Sequence, residues 1–460
     1  MKIPGAVKRL IGRLEQNGYK AYVVGGCVRD SLRGQKPKDW DICTSALPEQ
    51  AIACFSPSGA AEPFFSSCRI LMTGLKHGTI TVLAGQEAYE VTTFRIDGKY
   101  SNHRHPDQVQ FVADLKEDLA RRDFTINAMA FHHSTGLVDY FGGEADLKAK
   151  LIRCVGDADV RFQEDALRIL RALRFASQFD FTICAATKDS IHTSKNLLRS
   201  ISAERIQEEF RKILLGTGVF DILQKYVDVF CVCIPEIEPM IEFYQNTPYH
   251  DLDVWQHTIK AVENAAFDLE VRLALFFHDI SKPHTYSEDD KGIGHFYDHA
   301  RQSAIMAESI LKRLTFSNEI VSNVTELITH HSMDFLPQQK HVKKWLGKVG
   351  EVQFRRLIEM KRADTLAHHP DCIPERLSCL DKIPIIINEI VDESQCYQIK
   401  DLAISGYDLI QAGIPEGIEI GKTLCRLLEM VIDDQVPNQK KALLDVVMKE
   451  KGSFKLLKNS

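Results

Sequence analysis

Apolar and polar positions change their rhythm once along this chain. Over residues 1–150, short apolar runs alternate with glycine-rich breaks. A helix is expected from about residue 4 to 17, ending at Gly18. Residues 21–24 read as a strand running into Gly25-Gly26, followed by a helix to Leu32 that stops at Gly34. Residues 39–43 are the next strand. Residues 69–73, 78–83 and 88–94 are further β-rich segments broken by glycine, so a small sheet is expected. From Asp159 onward the spacing is helical and stays so to the end. Strands first and helices afterwards predict an α+β fold: a small β-sheet head followed by an all-α neck, body and tail. The soft boundaries near 150, 245 and 370 give a head over 1–150, a neck over 151–245, a body over 246–370 and a tail over 371–460.

A length of 460 residues supports more than one core. With 44% hydrophobic and 26% charged residues, the composition is that of a soluble globular protein. No stretch is long and apolar enough to cross a bilayer, so no membrane partner is expected. Met1-Lys2-Ile3-Pro4-Gly5 lacks the apolar core of a secretion signal. The twelve cysteines show no C-x-x-C spacing, which fits free thiols in a reducing cytoplasm. A formal charge of −6 argues against a uniformly basic nucleic-acid binder. It leaves room for local basic groups at Arg121-Arg122, in the arginines from 161 to 174, and in the lysines from 340 to 348.

The first candidate chemistry is Asp39-Trp40-Asp41-Ile42. On a strand, side chains alternate faces, so both carboxylates would point one way and Trp40 and Ile42 into a core. Two carboxylates on a rigid strand suit a pair of Mg²⁺ ions that clamp the oxygens of a phosphoryl transfer. Alone, Asp-x-Asp is most often a pair of solvated surface acids. Just upstream, Gly25 and Gly26 lie between a strand and a helix, where the backbone can approach a phosphate, and Arg29 is one turn on. A tight turn is the plainer reading of the glycines.

Arg121-Arg122-Asp123-Phe124-Thr125-Ile126-Asn127 reads either as a charged helix start or as a phosphate and ribose site, with Arg122 on phosphate and Asp123 or Asn127 on hydroxyls. Residues 164–176 form a largely apolar helix carrying Asp165, Arg168, Arg171 and Arg174. Asp165 and Arg168, three apart, are helix neighbours and make a fair intrahelical ion pair. That leaves Arg171 and Arg174 without partners. A carboxylate beside a guanidinium also presents an acceptor next to donors. Cytosine and adenine offer an amino group beside a ring-nitrogen acceptor and match it. Uracil and guanine present the reverse and would leave buried groups unpaired. On an ideal helix Arg174 falls on the side opposite Asp165.

Together these runs, with Glu90-Val91-Thr92-Thr93-Phe94-Arg95 and Glu164-Asp165-Ala166-Leu167-Arg168, resemble the class II tRNA nucleotidyltransferase and bacterial poly(A) polymerase family, with the CCA-adding enzymes most similar. The resemblance implies addition of C, C and A to tRNA 3′ ends from CTP and ATP with Mg²⁺. It implies Asp39 and Asp41 as catalytic metal ligands, and Gly25, Gly26, Arg29, Arg122 and Asp123 on the nucleotide. Asp165 and Arg168 would read the base, with Arg171 and Arg174 lining the same pocket. Residues 101–107 resemble the family's mobile loop, and Glu90 is a possible third carboxylate.

A second set of ligands lies downstream. His257, then His278-Asp279, then Asp364 follow the ligand order of the HD phosphohydrolase superfamily. His and Asp suit a transition-metal ion. His299 and the His330-His331 pair could add ligands for a second ion or serve structure. The HD resemblance implies a phosphatase or cyclic phosphodiesterase that repairs tRNA ends. Residues 401–422, with Gly413, Gly417 and Gly421, resemble the family's tRNA-gripping tail; helix caps would look the same. The alternatives are a poly(A) polymerase, a partner enzyme adding only A or only CC, and an HD phosphohydrolase whose head merely binds RNA.

Overall fold

The computed structural model describes residues 1–56, 63–98, 109–247 and 251–458. The chain divides into two compact units, Met1–Glu236 and Ile237–Ser460. The α+β expectation holds: a sheet head leads into helices.

Among the described residues, nine strands occupy the head: β1 (Ala21–Val24), β2 (Asp41–Thr44), β3 (Arg69–Leu71), β4 (Thr79–Ala84), β5 (Glu87–Thr93), β6 (Arg95–Asp97), β7 (Val109–Phe111), β8 (Met129–His132) and β9 (Gly136–Asp139). Seven of them form one sheet in the order β3-β4-β5-β2-β1-β8-β9, while β6 and β7 pair separately. Within the seven-stranded sheet only β2 and β5 run parallel; the other pairs are antiparallel. Val23, Val24, Ile42 and Cys43 are buried, as β-branched and apolar residues in central strands should be. One layer beneath, Val24, Cys43, Phe94, Leu115, Leu119, Ala128, Ala130 and Val155 form a continuous core. Helix Gly5–Gln16 closes over the sheet with Val7, Leu10, Ile11 and Leu14, a one-sided stripe at helical spacing.

Antiparallel pairing of β1 with β2 places the end of β1 beside the start of β2, with Val23 opposite Ile42. The turn at Gly25 therefore emerges next to Asp41. Gly25 has φ +78, and a Cβ there would lie 3.0 Å from Arg122 Nη1, so glycine is strongly favoured.

The neck helices Ala158–Glu164, Leu167–Phe179 and Ala203–Leu214 belong to the same unit. The last two pack closely where Gly216 meets Ser177; a Cβ at 216 would collide with the Ser177 side chain. In the second unit, helices Val254–Asn264, Leu269–Phe277, His299–Arg313, Asn318–His330 and Glu351–Thr365 form the body. The tail has its own core of Leu402, Ile404, Leu409, Leu427, Val431, Leu443 and Val447.

Four expectations need correction. Strand β2 begins at Asp41, so Asp39 lies in the extended segment before it, and Trp40 is only half-buried. The expected continuous helix over 164–176 is two helices broken at Asp165-Ala166. Asp165 takes an extended φ of −137°, and its Oδ1 accepts the Leu167 backbone N–H at 3.1 Å, so its side chain competes with the helical ladder. The region after 159 is not wholly helical: Tyr286–Glu288 pairs with Gly294–Phe296, and Leu151–Ile152 with Thr182–Ile183. Lys340 and Lys344 are not a free basic patch, since they pair with Asp434 and Asp433. The expected mobile loop over 101–107 lies outside the described residues.

Candidate active site

A cavity of about 620 Å³ in the first unit is lined by Gly26, Arg29, Asp39, Asp41 and Arg174, with Arg33, Lys36, Lys38 and Lys212 adding positive charge. The Asp41 carboxyl is pushed up to about 6, first by burial and then by the negative charge of Glu90, with Asp39 adding to it and Arg122 opposing. Glu90 is the register partner of Asp41 across the parallel β2–β5 pair. A partly buried Asp41 carboxyl with Glu90 and Asp39 near it is a set of oxygen donors suited to a divalent cation with hard oxygen preference. Asp39, Asp41 and Glu90 do not close into a group of three with ligand atoms within 4.8 Å of one another among the described residues.

Arg29 is buried and faces the Phe175 and Phe179 rings at 5.1 and 4.8 Å. It donates to Asn127 Oδ1 at 2.6 Å. Asn127 Nδ2 in turn donates to Asp123 Oδ1 at 3.0 Å, and Arg171 Nε to Asp123 Oδ2 at 2.9 Å. One polar chain thus runs from the Gly26–Leu32 helix to the neck helix. Burial works against the Asp123 charge, but Arg171 and Asn127 prevail and hold its carboxyl well below the usual carboxylate range. Arg122 pairs with the buried Asp118 at 3.3 Å.

The helix junction is pinned from several sides. Asp165 accepts from Arg205 at 2.9 Å rather than from Arg168. Arg168 donates to Glu164 at 2.6 Å and to the Arg121 carbonyl at 3.0 Å. Arg174 pairs with Glu209 at 3.2 Å, and burial brings its guanidinium down to about 10 despite that partner. Every arginine of this stretch therefore has a carboxylate, which sequence spacing did not reveal for Arg171 and Arg174. Arg174 lines the cavity with Asp39 and Asp41, whereas Asp165, Arg168, Arg122, Asp123 and Arg171 are not among its lining residues. Glu209, Arg205 and Asp118 carry no local sequence signal that links them to the site, because each meets its arginine or aspartate partner only through the fold or a helix turn.

In the second unit His257, His278, Asp279 and Asp364 converge. His257 Nε2 is 3.0 Å from Asp364 Oδ1, and His278 Nε2 is 3.2 Å from Asp279 Oδ2 and 3.4 Å from Asp364 Oδ1. All four residues are buried. The cavity of about 180 Å³ beside them is lined by His278, Asp279 and Asp364 together with Lys282, His299, His331, Lys361 and His368, the last two and Lys282 being unexpected. His330 instead packs its ring against Trp345, at 5.2 Å. His278 Nε2 has no hydrogen-bond partner despite the two carboxylates near it. A buried imidazole and carboxylate set with an orphaned ring nitrogen fits a transition-metal ion.

Against known proteins, residues 21–153 match the family described as "Poly A polymerase head domain". Residues 180–229 match "Probable RNA and SrmB- binding site of polymerase A", and 285–447 match "tRNA nucleotidyltransferase domain 2 putative". A CCA-adding enzyme of Pediococcus pentosaceus is 33% identical over 454 residues, covering 96% of this chain and 97% of that protein. The chain belongs to the CCA-adding enzyme family. A second CCA-adding enzyme, from Geobacillus thermodenitrificans, is 47% identical over 207 residues, 45% of this chain and 48% of its own length. The Bacillus stearothermophilus CCA-adding enzyme in complex with CTP shares 26% identity and a TM-score of 0.68, with both chains fully covered. The Thermotoga maritima CCA-adding enzyme complexed with tRNA shares the fold at 20% identity and a TM-score of 0.59, covering 97% of this chain and 96% of that chain. In this member of the CCA-adding enzyme family, the head match takes in the Gly25 turn, Asp39, Asp41 and the Arg122-Asp123 segment.

Proposed function

We propose that this chain is a CCA-adding tRNA nucleotidyltransferase, extending tRNA 3′ ends with C, C and A from CTP and ATP without a nucleic-acid template. The observation that carries it is the likeness to a CCA-adding enzyme along 96% of the chain, with Asp39, Asp41 and Arg29 on one cavity wall. No helix among the described residues is long and apolar enough to cross a membrane. None of the described cysteines is in a disulfide, which suits work in the cytoplasm.

Asp39 and Asp41 would hold Mg²⁺, which when bound would lower the pKa of the attacking 3′ hydroxyl and neutralise the departing pyrophosphate. Gly25 and Gly26 keep side chains away from the triphosphate, and Arg29 and Arg122 offer it positive charge. Asn127, held by Asp123, fixes Arg29, and the pair would serve the ribose hydroxyls. Asp165 and Arg168, each braced by a partner, would accept from the amino group and donate to the ring nitrogen of C or A. Arg174 lines the cavity itself, and Arg171 would act through the Asp123 carboxylate it holds. In this reading 1–150 is the transferase head, 151–245 the nucleotide-selecting neck and 371–460 the tRNA-binding tail. The tail glycines also cap helices: Gly417, at φ +109, precedes helix Ile418–Ile432.

Over 246–370, His257, His278, Asp279 and Asp364 would hold a transition-metal ion, which when bound would activate water for a phosphohydrolase acting on damaged tRNA 3′ ends. Supporting it is the convergence of all four residues on one buried point.

The match to a poly(A) polymerase head favours one second reading, an enzyme that uses ATP alone. Offering each labelled nucleoside triphosphate singly to a tRNA that lacks CCA separates the two. Incorporation from CTP alone is expected, and none from UTP or GTP. Incorporation from ATP only would favour the polymerase.

A further inference from the structure

Away from both cavities, three metal-ligating side chains meet where the N-terminal helix touches the β8–β9 hairpin. Glu15 comes from helix Gly5–Gln16, His132 ends β8, and His133 opens the turn to β9. His132 pairs with Gly136, which closes that tight turn at φ +82. On a continuing strand His133 would face away from His132. The turn instead brings the two rings to 4.2 Å between centroids. Glu15, His132 and His133 each offer a donor atom, and these atoms lie within 4.8 Å of one another. None of the three lines the cavity around Asp39 and Asp41.

His132 is the fixed member. It is 5% exposed, with the Tyr22 ring edge-on at 5.7 Å. Its Nε2 lies 2.9 Å from Glu15 Oε1, yet that nitrogen is buried without a hydrogen-bond partner. The approach is close but off the direction of a hydrogen bond. An ion held by both atoms accounts for such a contact. Burial holds the His132 imidazole below its ordinary pKa against the charge of Glu15, and a neutral ring is the ligating form. Behind the ring, Ser134 Oγ lies 2.8 Å from Nδ1 and can accept its proton, which leaves the Nε2 lone pair facing Glu15. The Ser134 N–H, 3.3 Å from the same Nδ1, favours the other tautomer, and an ion at Nε2 selects between them.

We infer that Glu15, His132 and His133 form a Zn²⁺ site that clamps the N-terminal helix to the β8–β9 hairpin. Two imidazoles and a carboxylate are a three-ligand set for Zn²⁺ that leaves the fourth position to water. Glu15 and His133 are exposed, so their side chains can turn to close on an ion about 2 Å from each donor, with His132 as the anchor. An ion bound by the folded head and not by the unfolded chain stabilises the fold.

The test compares the full chain with its Glu15→Gln, His133→Gln variant. Both are loaded at micromolar free Zn²⁺, passed through gel filtration and assayed for metal by mass spectrometry. The parent should carry one Zn²⁺ more than the variant. Ions held elsewhere, at Asp39 and Asp41 or at the HD residues, cancel in the difference. Zn²⁺ should also slow amide hydrogen exchange over residues 5–16 and 129–139 in the parent alone. Equal metal counts overturn the site, and exchange that Zn²⁺ leaves unchanged overturns the clamp. If the double variant fails to fold, His133→Gln alone, in the exposed turn, takes its place with the same two outcomes.

Discussion

At the scale of single residues, the account turns on a few carboxylates. Asp39→Asn or Asp41→Asn should lower nucleotide transfer about a thousandfold or more, the several kcal/mol that a positioned metal ion contributes. The melting temperature should stay within a few degrees, because Asp39 is exposed and Asp41 only half-buried. Near-normal turnover in either folded variant would remove them from the chemistry. Asp123 behaves oppositely. Its carboxyl is held down by Arg171, so it stabilises the fold above its unfolded pKa of about 3.9, and that contribution fades only as pH falls through the lower folded value. Asp123→Asn should cost about 3 kcal/mol at neutral pH. In urea unfolding the gap from the parent should be constant from pH 8 to 5 and narrow below about 4. A gap that closes near pH 6 would contradict the pairing. The aspartate pair was legible in the sequence as a motif. The Arg29–Asn127–Asp123–Arg171 chain was not, because its members meet across 98 and 48 residues and no local pattern links them.

Among elements, the strand–turn–helix around Gly25 was legible because it combines β-branched residues, a glycine pair and a helix former within a dozen positions. Gly25→Ala should destabilise by about 1–2 kcal/mol through its left-handed φ, and displace Arg122, which a denaturation curve and a KM for CTP will report together. The break between Ala158–Glu164 and Leu167–Phe179 was hidden. Residues 164–176 have strong helical propensity, and only the Asp165 side chain capturing the Leu167 N–H interrupts them. That break turns Asp165 towards Arg205. Arg205→Ala should therefore lower kcat/KM for CTP and ATP about tenfold, the worth of one charged hydrogen bond, and narrow their margin over UTP and GTP. An unchanged nucleotide preference would leave Arg205 a purely structural partner.

On the scale of the whole molecule, the change from strands to helices near residue 159 forecast the α+β architecture, since each period buries its own kind of face. The order of His257, His278, Asp279 and Asp364 pointed to residues that do meet in space, whereas Lys282, Lys361 and His368 line the same cavity only through the convergence of helices. The two sets of chemistry fall in separate units, 1–236 and 237–460. His278→Ala with Asp279→Ala in the full chain should abolish phosphate release from 3′-phosphorylated tRNA yet keep nucleotide addition within about twofold, because neither residue belongs to the head cavity. The most direct test of the account is the product formed on a tRNA lacking its last three nucleotides when CTP and ATP are supplied together. Sequencing should show C, C and A added in that order and then a stop. A tail of repeated A, or A added without preceding C, would contradict it.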